Sequence, residues 1–488
     1  MVLYFVFGLF MGELLKDIES YLRSGLSISD VNRKLLKAGY AESDIVVAMK
    51  SIAREYADHN DFVSNDSLSK KKYFLDRFGF GLASNQVLSV LFYLTGAGFF
   101  LIGFLNVLRT CITTFFSTFF REYYDKANFR VWFINFSGLV FGFSFLFIAL
   151  AVSLGSIWLF AVSFLVGSVG VVIYGDLFRT FRESSSKGFS VLVSPTTAFF
   201  GVLLMFFGFL GSAVLMDLVP LSGVLFSLSV FGFDFSFRLH GFLIAFELTT
   251  IVFILSSYWL SRMKFRNFTK KLSFFEFKTY FIESVFRKGK RFLYNKHLLM
   301  LGLATLFLAV FQSATYSLAG VYIYSEFEPI FLGKFMNLVF VFGIPLVFSI
   351  FGPIIASRFN KYLGLSPLLV FGSVLVSFFP LALSMNSFLP ALVLANLFSI
   401  FGASMLGGGN SLLASRYLNS FDRKLFYSFS SLIILIPFFV LTSVLFFMGS
   451  RVGYLDFFRI IGVGVLVFCI PIYFLLVFWA RKGNLVDA

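Results

Sequence analysis

From Phe78 onward the chain consists of apolar runs, separated by short breaks that contain charged residues, Gly or Pro. Each run has about the length that a helix needs to cross a bilayer, which is roughly 20 residues. The composition agrees, because the 488 residues are 58% hydrophobic and only 13% charged. Water-soluble globular proteins do not have such a composition. The sequence therefore predicts an integral membrane protein.

The apolar runs predict twelve membrane-spanning helices and an all-α polytopic fold. The main alternative concerns the first two of them, because residues 86–120 could instead form a single long helix. The predicted limits are 78–100, 102–122, 131–153, 155–178, 189–216, 241–261, 298–325, 331–356, 366–386, 389–414, 425–449 and 454–480.

The distribution of positive charge decides between the two alternatives. Loops rich in Lys and Arg stay on the cytoplasmic side of a membrane. With twelve spans and both termini in the cytoplasm, 28 of the 33 Lys and Arg residues beyond position 69 lie on the cytoplasmic side. With one long helix over 86–120 instead, either the Lys70–Lys72 cluster or the later basic loops would lie on the outer side of the membrane. We therefore expect twelve spans in the cell membrane, with both termini cytoplasmic.

A basic segment divides the spans into two sets of six. Residues 262–297 carry eleven Lys and Arg residues and only two acidic ones, and we expect them to form a cytoplasmic loop. We expect six-helix bundles over residues 78–261 and 298–480. The two bundles show a faint internal repeat at a nearly constant offset. Its matching positions are Phe104–Val107 and Phe335–Leu338, Gly138 and Gly372, and Gly175–Asp176 and Gly409–Asn410.

The first 72 residues differ from the rest, because they are rich in charges of both signs. Apolar residues recur every three or four positions in three stretches, as they do on one face of a helix. The pattern predicts a small cytosolic three-helix module, and residues 58–72 are expected to form a linker. The three stretches are Glu13–Arg23, Ile28–Lys37 and Asp44–Tyr56.

This N-terminal module is similar to the small UBA-like helical domains over about 40 residues. The resemblance implies a docking site for a cytosolic protein partner. The alternative is a helical cap that only packs beneath the membrane part. The residues that carry the resemblance are Gly25, Val31, Leu35, Ala38–Tyr40 and Ile45.

Over residues 78–480 the chain resembles the major facilitator superfamily in its span count, topology and basic central loop. In that family the loops after the second and eighth spans carry an acidic residue followed by bases around a Gly. The first of these loops has Asp125 and Arg130, with Asn128 where Gly is usual, and the second lacks the acid. The resemblance implies parallel bundles with a substrate site at mid-membrane between them.

Four residues are candidates for a cytoplasmic gate. By the resemblance, Asp125 and Arg130 would latch that gate, and an ordinary positive loop is the alternative. Asp176 lies at the cytoplasmic end of the fourth span and aligns with Asn410 in the internal repeat. A gate role is one interpretation of Asp176, and a local ion pair with Arg179 is the other.

Polar residues inside the spans are candidates for substrate binding, because ionisable groups at membrane depth are costly and often functional. Arg109 in the second span could bind an anionic substrate, pair with an acid or extend toward the outer surface. Gln312 and Tyr316 lie four residues apart and therefore on one face of the seventh span. Asn396 in the tenth span is a further candidate. Plain contacts between helices are the alternative for the last three.

The sequence contains no Walker-type phosphate loop and no HExxH or GxSxG motif, so we expect no enzymatic activity. We expect a secondary transporter of a small solute that works by alternating access. The expected partners are the lipid bilayer and a small-molecule substrate, with no cofactor and no nucleic acid. The alternatives are a flippase or exporter of lipids or lipid-linked sugars, and a transport-inactive membrane scaffold or sensor.

Overall fold

The computed structural model describes residues 59–126, 131–185, 195–219, 223–230, 233–263, 274–386 and 388–483, together with parts of the segment 14–49. The elements before the central segment are α1 (Ile28–Lys37), α2 (His59–Leu82), α3 (Asn85–Leu94), α4 (Phe99–Lys126), α5 (Val131–Ser153), α6 (Ile157–Ser185), α7 (Pro195–Leu218), β1 (Val224–Val230), β2 (Phe233–Leu239) and α8 (Gly241–Ser261).

The later elements are again helical. They are α9 (Phe274–Tyr294), α10 (Lys296–Glu326), α11 (Lys334–Leu363, with a π turn at Val339–Gly343), α12 (Leu365–Ser384), α13 (Leu389–Tyr417), α14 (Ser420–Ile433), α15 (Leu435–Val452) and α16, which runs from Tyr454–Gly464 through a π turn at Val465–Cys469 to Ile470–Gly483.

Eleven helices in the described ranges are long and apolar enough to cross a membrane: α4 to α8, α10 to α13, α15 and α16. The prediction of a polytopic helical membrane protein is therefore confirmed. The limits predicted for the third and sixth spans coincide with those of α5 and α8.

The first pass is broken into two short helices, so the limits predicted for it are wrong. Its helix begins at His59, so the predicted linker is helical from that residue onward, and the pass ends at Leu94 rather than at residue 100. Ser84 lies at the break with extended backbone angles, and its Oγ accepts a hydrogen bond of 3.4 Å from the Val87 N–H. This is the geometry of a helix N-cap. Because α2 packs against α7 and α8, and α3 packs against α10, the two helices together form the first of twelve passes in the described ranges.

A β-hairpin connects α7 to α8, and the sequence analysis did not predict it. Its strands β1 and β2 are antiparallel, with Val224 opposite Leu239 and Val230 opposite Phe233. Apolar and polar residues alternate along Phe233–Leu239, which is the period of a strand. A search for apolar runs of spanning length does not detect this alternation.

The passes pack as two six-helix bundles, as predicted. In the first bundle α5 packs closely against α6 and α8, and in the second α12 packs closely against α13 and α16. The third and fourth passes therefore pack together in the same way as the ninth and tenth, which agrees with the internal repeat. One core of buried apolar side chains runs through both bundles.

A buried ion pair ties helices of the first bundle together. The Lys72 Nζ lies 2.6 Å from the Asp76 Oδ2, and the Lys72 side chain is only 2% exposed. The Asp76 Oδ1 accepts hydrogen bonds from the Tyr174 hydroxyl at 2.8 Å and from the Ser256 Oγ at 2.5 Å. The Lys72 ammonium also lies 3.8 Å from the centre of the Tyr174 ring. This cluster joins α2 to α6 and α8.

Much of the predicted central loop is helical. Residues 274–294 of this loop form α9, which contacts both bundles through ion pairs. The Lys288 Nζ lies 3.3 Å from the Glu122 Oε1 of α4. The Arg291 Nε lies 2.6 Å from the Asp422 Oδ1 of α14. The connection between the bundles therefore holds the ends of α4 and α14 on the predicted cytoplasmic side.

In the N-terminal segment, the three predicted amphipathic stretches contribute to one small core. Next to this core, the Tyr40 hydroxyl donates a hydrogen bond of 3.1 Å to the Asp17 Oδ2. The similarity to UBA-like domains stays a prediction. The buried members of the core are Leu14, Ile18, Val31, Leu35, Ile45 and Ala48.

Candidate functional site

A cavity of about 690 Å³ lies between the two bundles. Helices α2 to α7 form its wall on one side, and α10, α11 and α13 form its wall on the other. Its volume lies within the range of about 300–1,000 Å³ that is usual for small-molecule sites. The structure brings all four predicted substrate-binding residues, Arg109, Gln312, Tyr316 and Asn396, to the lining of this one cavity.

The break in the first pass opens onto the cavity. Ala83, Ser84 and Asn85, which form the break and the start of α3, belong to its lining. The Arg109 Nη1 donates a hydrogen bond to the Asn85 Oδ1. The Arg109 guanidinium lies 4.7 Å from the centre of the Phe164 ring. Arg109 is therefore held by an amide and an aromatic face, and no carboxylate pairs with it in the described ranges.

A hydrogen-bonded chain links three passes of the second bundle. The Tyr316 hydroxyl donates to the Asn396 Oδ1 at 2.8 Å, and the Asn396 Nδ2 donates to the Val341 carbonyl oxygen at 2.7 Å. In a regular helix that carbonyl would accept from the N–H four residues later, but Pro345 has no N–H. Residue 345 therefore cannot supply a donor to this carbonyl, and the Asn396 side chain supplies one, as neighbouring helices often do in membranes.

Two glutamines lie beside this chain. The Gln86 Nε2 donates to the Tyr316 carbonyl oxygen at 3.2 Å, across the boundary between the bundles. The Gln86 Oε1 is buried and has no partner among the described residues. Gln312 lines the cavity, and its side chain makes no hydrogen bond to another described residue. The site therefore retains polar groups that a solute could engage.

The charged residues of the described cavity lining are cationic. Arg77 and Arg109 belong to it, and no Asp or Glu with a described side chain does. The Arg77 guanidinium lies 5.1 Å from the centre of the Tyr73 ring. The sequence analysis missed Arg77, because it counted this residue among the charges of the cytoplasmic side. Aromatic rings make up much of the remaining wall, namely Phe80, Phe141, Phe145, Phe164, Phe209 and Phe342.

The bundles contact each other on the predicted outer side of the cavity. The Asp217 carboxylate at the end of α7 accepts hydrogen bonds from the backbone N–H groups of Phe335 and Met336 in α11. Between α4 and α15, a Cβ on Gly103 would lie only 2.3 Å from a ring carbon of Phe446. The sequence analysis did not select Asp217, although an acidic residue at the end of an apolar run was visible there.

The described residues do not bring the four gate candidates together. Asp125 and Asp176 lie in α4 and α6, but their side chains are not described, and Arg130 lies outside the described residues. Asn410 is buried, and its Nδ2 donates to the Tyr473 hydroxyl at 3.1 Å. Because Tyr473 belongs to α16, this contact lies within the second bundle. The gate roles therefore stay predictions.

Comparison of the sequence with known protein families and with curated proteins finds no match. Comparison of the structure finds transporters of similar fold. The nucleoside transporter NupG is 12% identical, with a TM-score of 0.60, and the match covers 85% of this chain and 98% of NupG.

Two further structures match over a similar length. A bacterial homologue of the human lysosomal transporter Spinster is 13% identical, with a TM-score of 0.61, and the match covers 89% of this chain and 98% of that one. A bacterial homologue of the iron transporter ferroportin is 16% identical, with a TM-score of 0.59, and the match covers 86% of this chain and 99% of that one. Similarity at these identities concerns the fold, and the chain has the fold of the major facilitator superfamily.

Proposed function

We propose that the protein is a secondary transporter that moves a small solute across the membrane by alternating access. The observation that carries this proposal is the central cavity, because polar side chains from both bundles line it together. A substrate site between two bundles can be exposed to either membrane face when one bundle rocks against the other. In this proposal the moving bodies are residues 78–261 and residues 298–480.

The arrangement of contacts supports an inward-facing state. On the predicted outer side, α7 contacts α11 and α4 contacts α15. The lining extends along the helices toward the predicted cytoplasmic side as far as Arg77, Leu346 and Ser404. The proposal places both termini in the cytoplasm and the protein in the cell membrane. Asp125, Arg130, Asp176 and Asn410 would then close the cytoplasmic side in the opposite state.

Thiol labelling from each membrane face tests the proposal. The background is the full chain with Cys111→Ser and Cys469→Ser, since both native cysteines lie within passes. In this background Ser404→Cys places a thiol in the cavity lining, and Phe388→Cys places one at the start of α13, where the side chain is 71% exposed. We expect an impermeant reagent to label position 404 mainly from the cytoplasmic face and position 388 only from the outer face.

A cross-link across the outer contact then distinguishes a moving cavity from a fixed one. Asp217→Cys paired with Phe335→Cys should form a disulfide that locks the outer side and abolishes any labelling of position 404 from that side. It should leave labelling from the cytoplasm intact. If position 404 is labelled from neither face while position 388 is labelled, the cavity is closed and transport through it is excluded. That result would favour a membrane scaffold.

A further inference from the structure

We propose that the solute is an organic anion with an apolar or aromatic body, that Arg109 binds its anionic group, and that Arg77 adds positive charge toward the predicted cytoplasmic side of the lining. This inference rests on the proposed function, because it names the class of solute that the same cavity accepts. It is carried by the charges of the lining, by the surroundings of each Arg and by the aromatic walls.

The first step concerns charge. Two guanidinium groups line the cavity, and no carboxylate lines it among the residues whose side chains the structure describes. The acid nearest to Arg77 in sequence is Asp76, and its carboxylate is occupied by Lys72, Tyr174 and Ser256. A cation inside a membrane protein is costly unless a counter-charge or polar groups compensate it. A bound anion would supply the counter-charge that the described part of the lining lacks.

The second step concerns the geometry of Arg109. A guanidinium carries five N–H donors in a rigid fork that fits carboxylate and phosphate oxygens, and it cannot lose its proton in a protein. Asn85 accepts from one Arg109 nitrogen, and Phe164 covers the guanidinium at 4.7 Å. These two contacts orient the fork beside the cavity. Donors remain for a ligand, because Asn85 is the one hydrogen-bond acceptor that Arg109 has among the described residues.

The third step concerns the body of the solute. Phenylalanine rings of both bundles line the cavity, and Ile148, Leu88 and Leu346 add further apolar surface. Burial of apolar ligand surface against such walls is favourable. A small hydrophilic ion such as chloride would leave these walls without a partner. The lining therefore fits an amphipathic anion better than an inorganic one.

Three probes of nearly equal shape separate charge from shape. Phenylacetate, phenylacetamide and phenethylamine each carry one phenyl ring and a short polar end that is anionic, neutral or cationic. We would titrate each by isothermal calorimetry into the full chain in nanodiscs. The expected order is that phenylacetate binds at least about tenfold more tightly than phenylacetamide, because a charge-assisted Arg pair is worth more than a neutral hydrogen bond. Phenethylamine should not bind detectably.

Variants locate the anionic group. Arg109→Gln should weaken phenylacetate binding about tenfold or more, and Arg77→Gln should weaken it less. Phenylacetamide should lose much less affinity in both variants, because Gln keeps an amide N–H that can donate to a neutral carbonyl. Retained phenylacetamide binding also shows that the cavity is folded. The matched control is Arg451→Gln, because Arg451 is exposed at the end of α15 and lies outside the lining. Binding of phenethylamine in preference to phenylacetate would overturn the inference. Equal phenylacetate affinity of Arg109→Gln and the unchanged chain would also overturn it.

Transport is measured separately, so that the two proposals fail in different ways. Proteoliposomes loaded with unlabelled phenylacetate should take up radiolabelled phenylacetate by exchange. Arg109-dependent binding without exchange would leave the anion site standing and contradict the transport function. Exchange of neutral or cationic solutes without phenylacetate binding would leave the transport function standing and overturn the anion site.

Discussion

The Asp217 carboxylate accepts a hydrogen bond of 2.8 Å from the backbone N–H of Met336, in the opposite bundle. It accepts a second one, of 3.0 Å, from the N–H of Phe335. The first N–H groups of a helix have no partner within that helix. Asp217 therefore caps α11 from outside, and Gly333 makes room for it, because a Cβ there would lie 2.4 Å from the Asp217 Oδ1.

Removal of this cap should favour opening of the outer side. Loss of an N-cap costs about 1 kcal/mol, which corresponds to roughly a fivefold shift of a two-state equilibrium. We expect Asp217→Ala to raise the labelling of Ser404→Cys from the outer face by about that factor. Asp456→Ala is the control, because Asp456 pairs with Arg459 three residues along the same helix. Equal outer labelling in the two variants would show that the Asp217 cap does not hold the bundles together.

The contact between Asn396 and the Val341 carbonyl predicts a coupling between two substitutions. Asn396→Leu leaves that buried carbonyl without its 2.7 Å donor, so it should destabilise the protein by about 1–3 kcal/mol. Pro345→Ala provides a backbone N–H in the position that a regular helix uses. We therefore expect the double variant to unfold at a higher temperature in detergent than Asn396→Leu alone.

Additive effects of the two substitutions would point to a different cause for the instability of Asn396→Leu. If the effects of Asn396→Leu and Pro345→Ala on the free energy of unfolding simply add, the two sites are independent. The stability cost of Asn396→Leu would then come from the Tyr316 hydroxyl and from altered packing. Tyr316→Phe distinguishes these causes, because it removes the hydroxyl contact with Asn396 and keeps the Asn396 amide donor to the Val341 carbonyl.

The buried Lys72–Asp76 pair predicts that single substitutions cost more than the double one. Removal of one partner of a buried ion pair leaves an uncompensated charge, which typically costs about 3–5 kcal/mol, whereas an apolar replacement of both is often nearly neutral. We expect Asp76→Leu to lower the unfolding temperature strongly, and Lys72→Met with Asp76→Leu to recover much of the loss. A double variant less stable than either single one would show that hydrogen bonds from Tyr174 and Ser256 outweigh the charge.

The limits of most passes could be predicted from the sequence. Val131–Ser153 and Gly241–Ser261 match their predicted limits because each is a predominantly apolar run that begins directly after a basic residue or His, namely Arg130 and His240. Such runs depend on the bilayer rather than on tertiary contacts. The structure also places Arg109, Gln312, Tyr316 and Asn396 at one cavity, and their role in substrate binding stays a prediction.

The features that sequence analysis missed depend on contacts between distant residues. The break at Ser84 lies within an apolar run, and the polar group Ser84–Gln86 there is compatible with a continuous helix until its surroundings are known. Arg77 belongs to the site because α2 begins at His59, well before the predicted start of the first span at residue 78. Asp217 gains its partners from a helix more than 100 residues away, which no local pattern can indicate.

The crossing of α2 and α7 depends on two glycines, and this gives a prediction with a control on the same helix. A Cβ on Gly81 would lie 2.1 Å from the Met205 carbonyl oxygen, and a Cβ on Gly208 would lie 2.3 Å from that of Phe78. Both obstructing atoms belong to the backbone, so they cannot rotate away, and small residues are what allow such close approach in membranes. Gly208→Ala must separate the helices and should lower the free energy of unfolding by about 1–3 kcal/mol, as overpacking does.

At Gly211, on the same helix, an added Cβ meets nothing within 4 Å. Gly211→Ala should therefore raise the unfolding temperature slightly through its better helix propensity, and an equal loss in both variants would contradict the role assigned to the crossing.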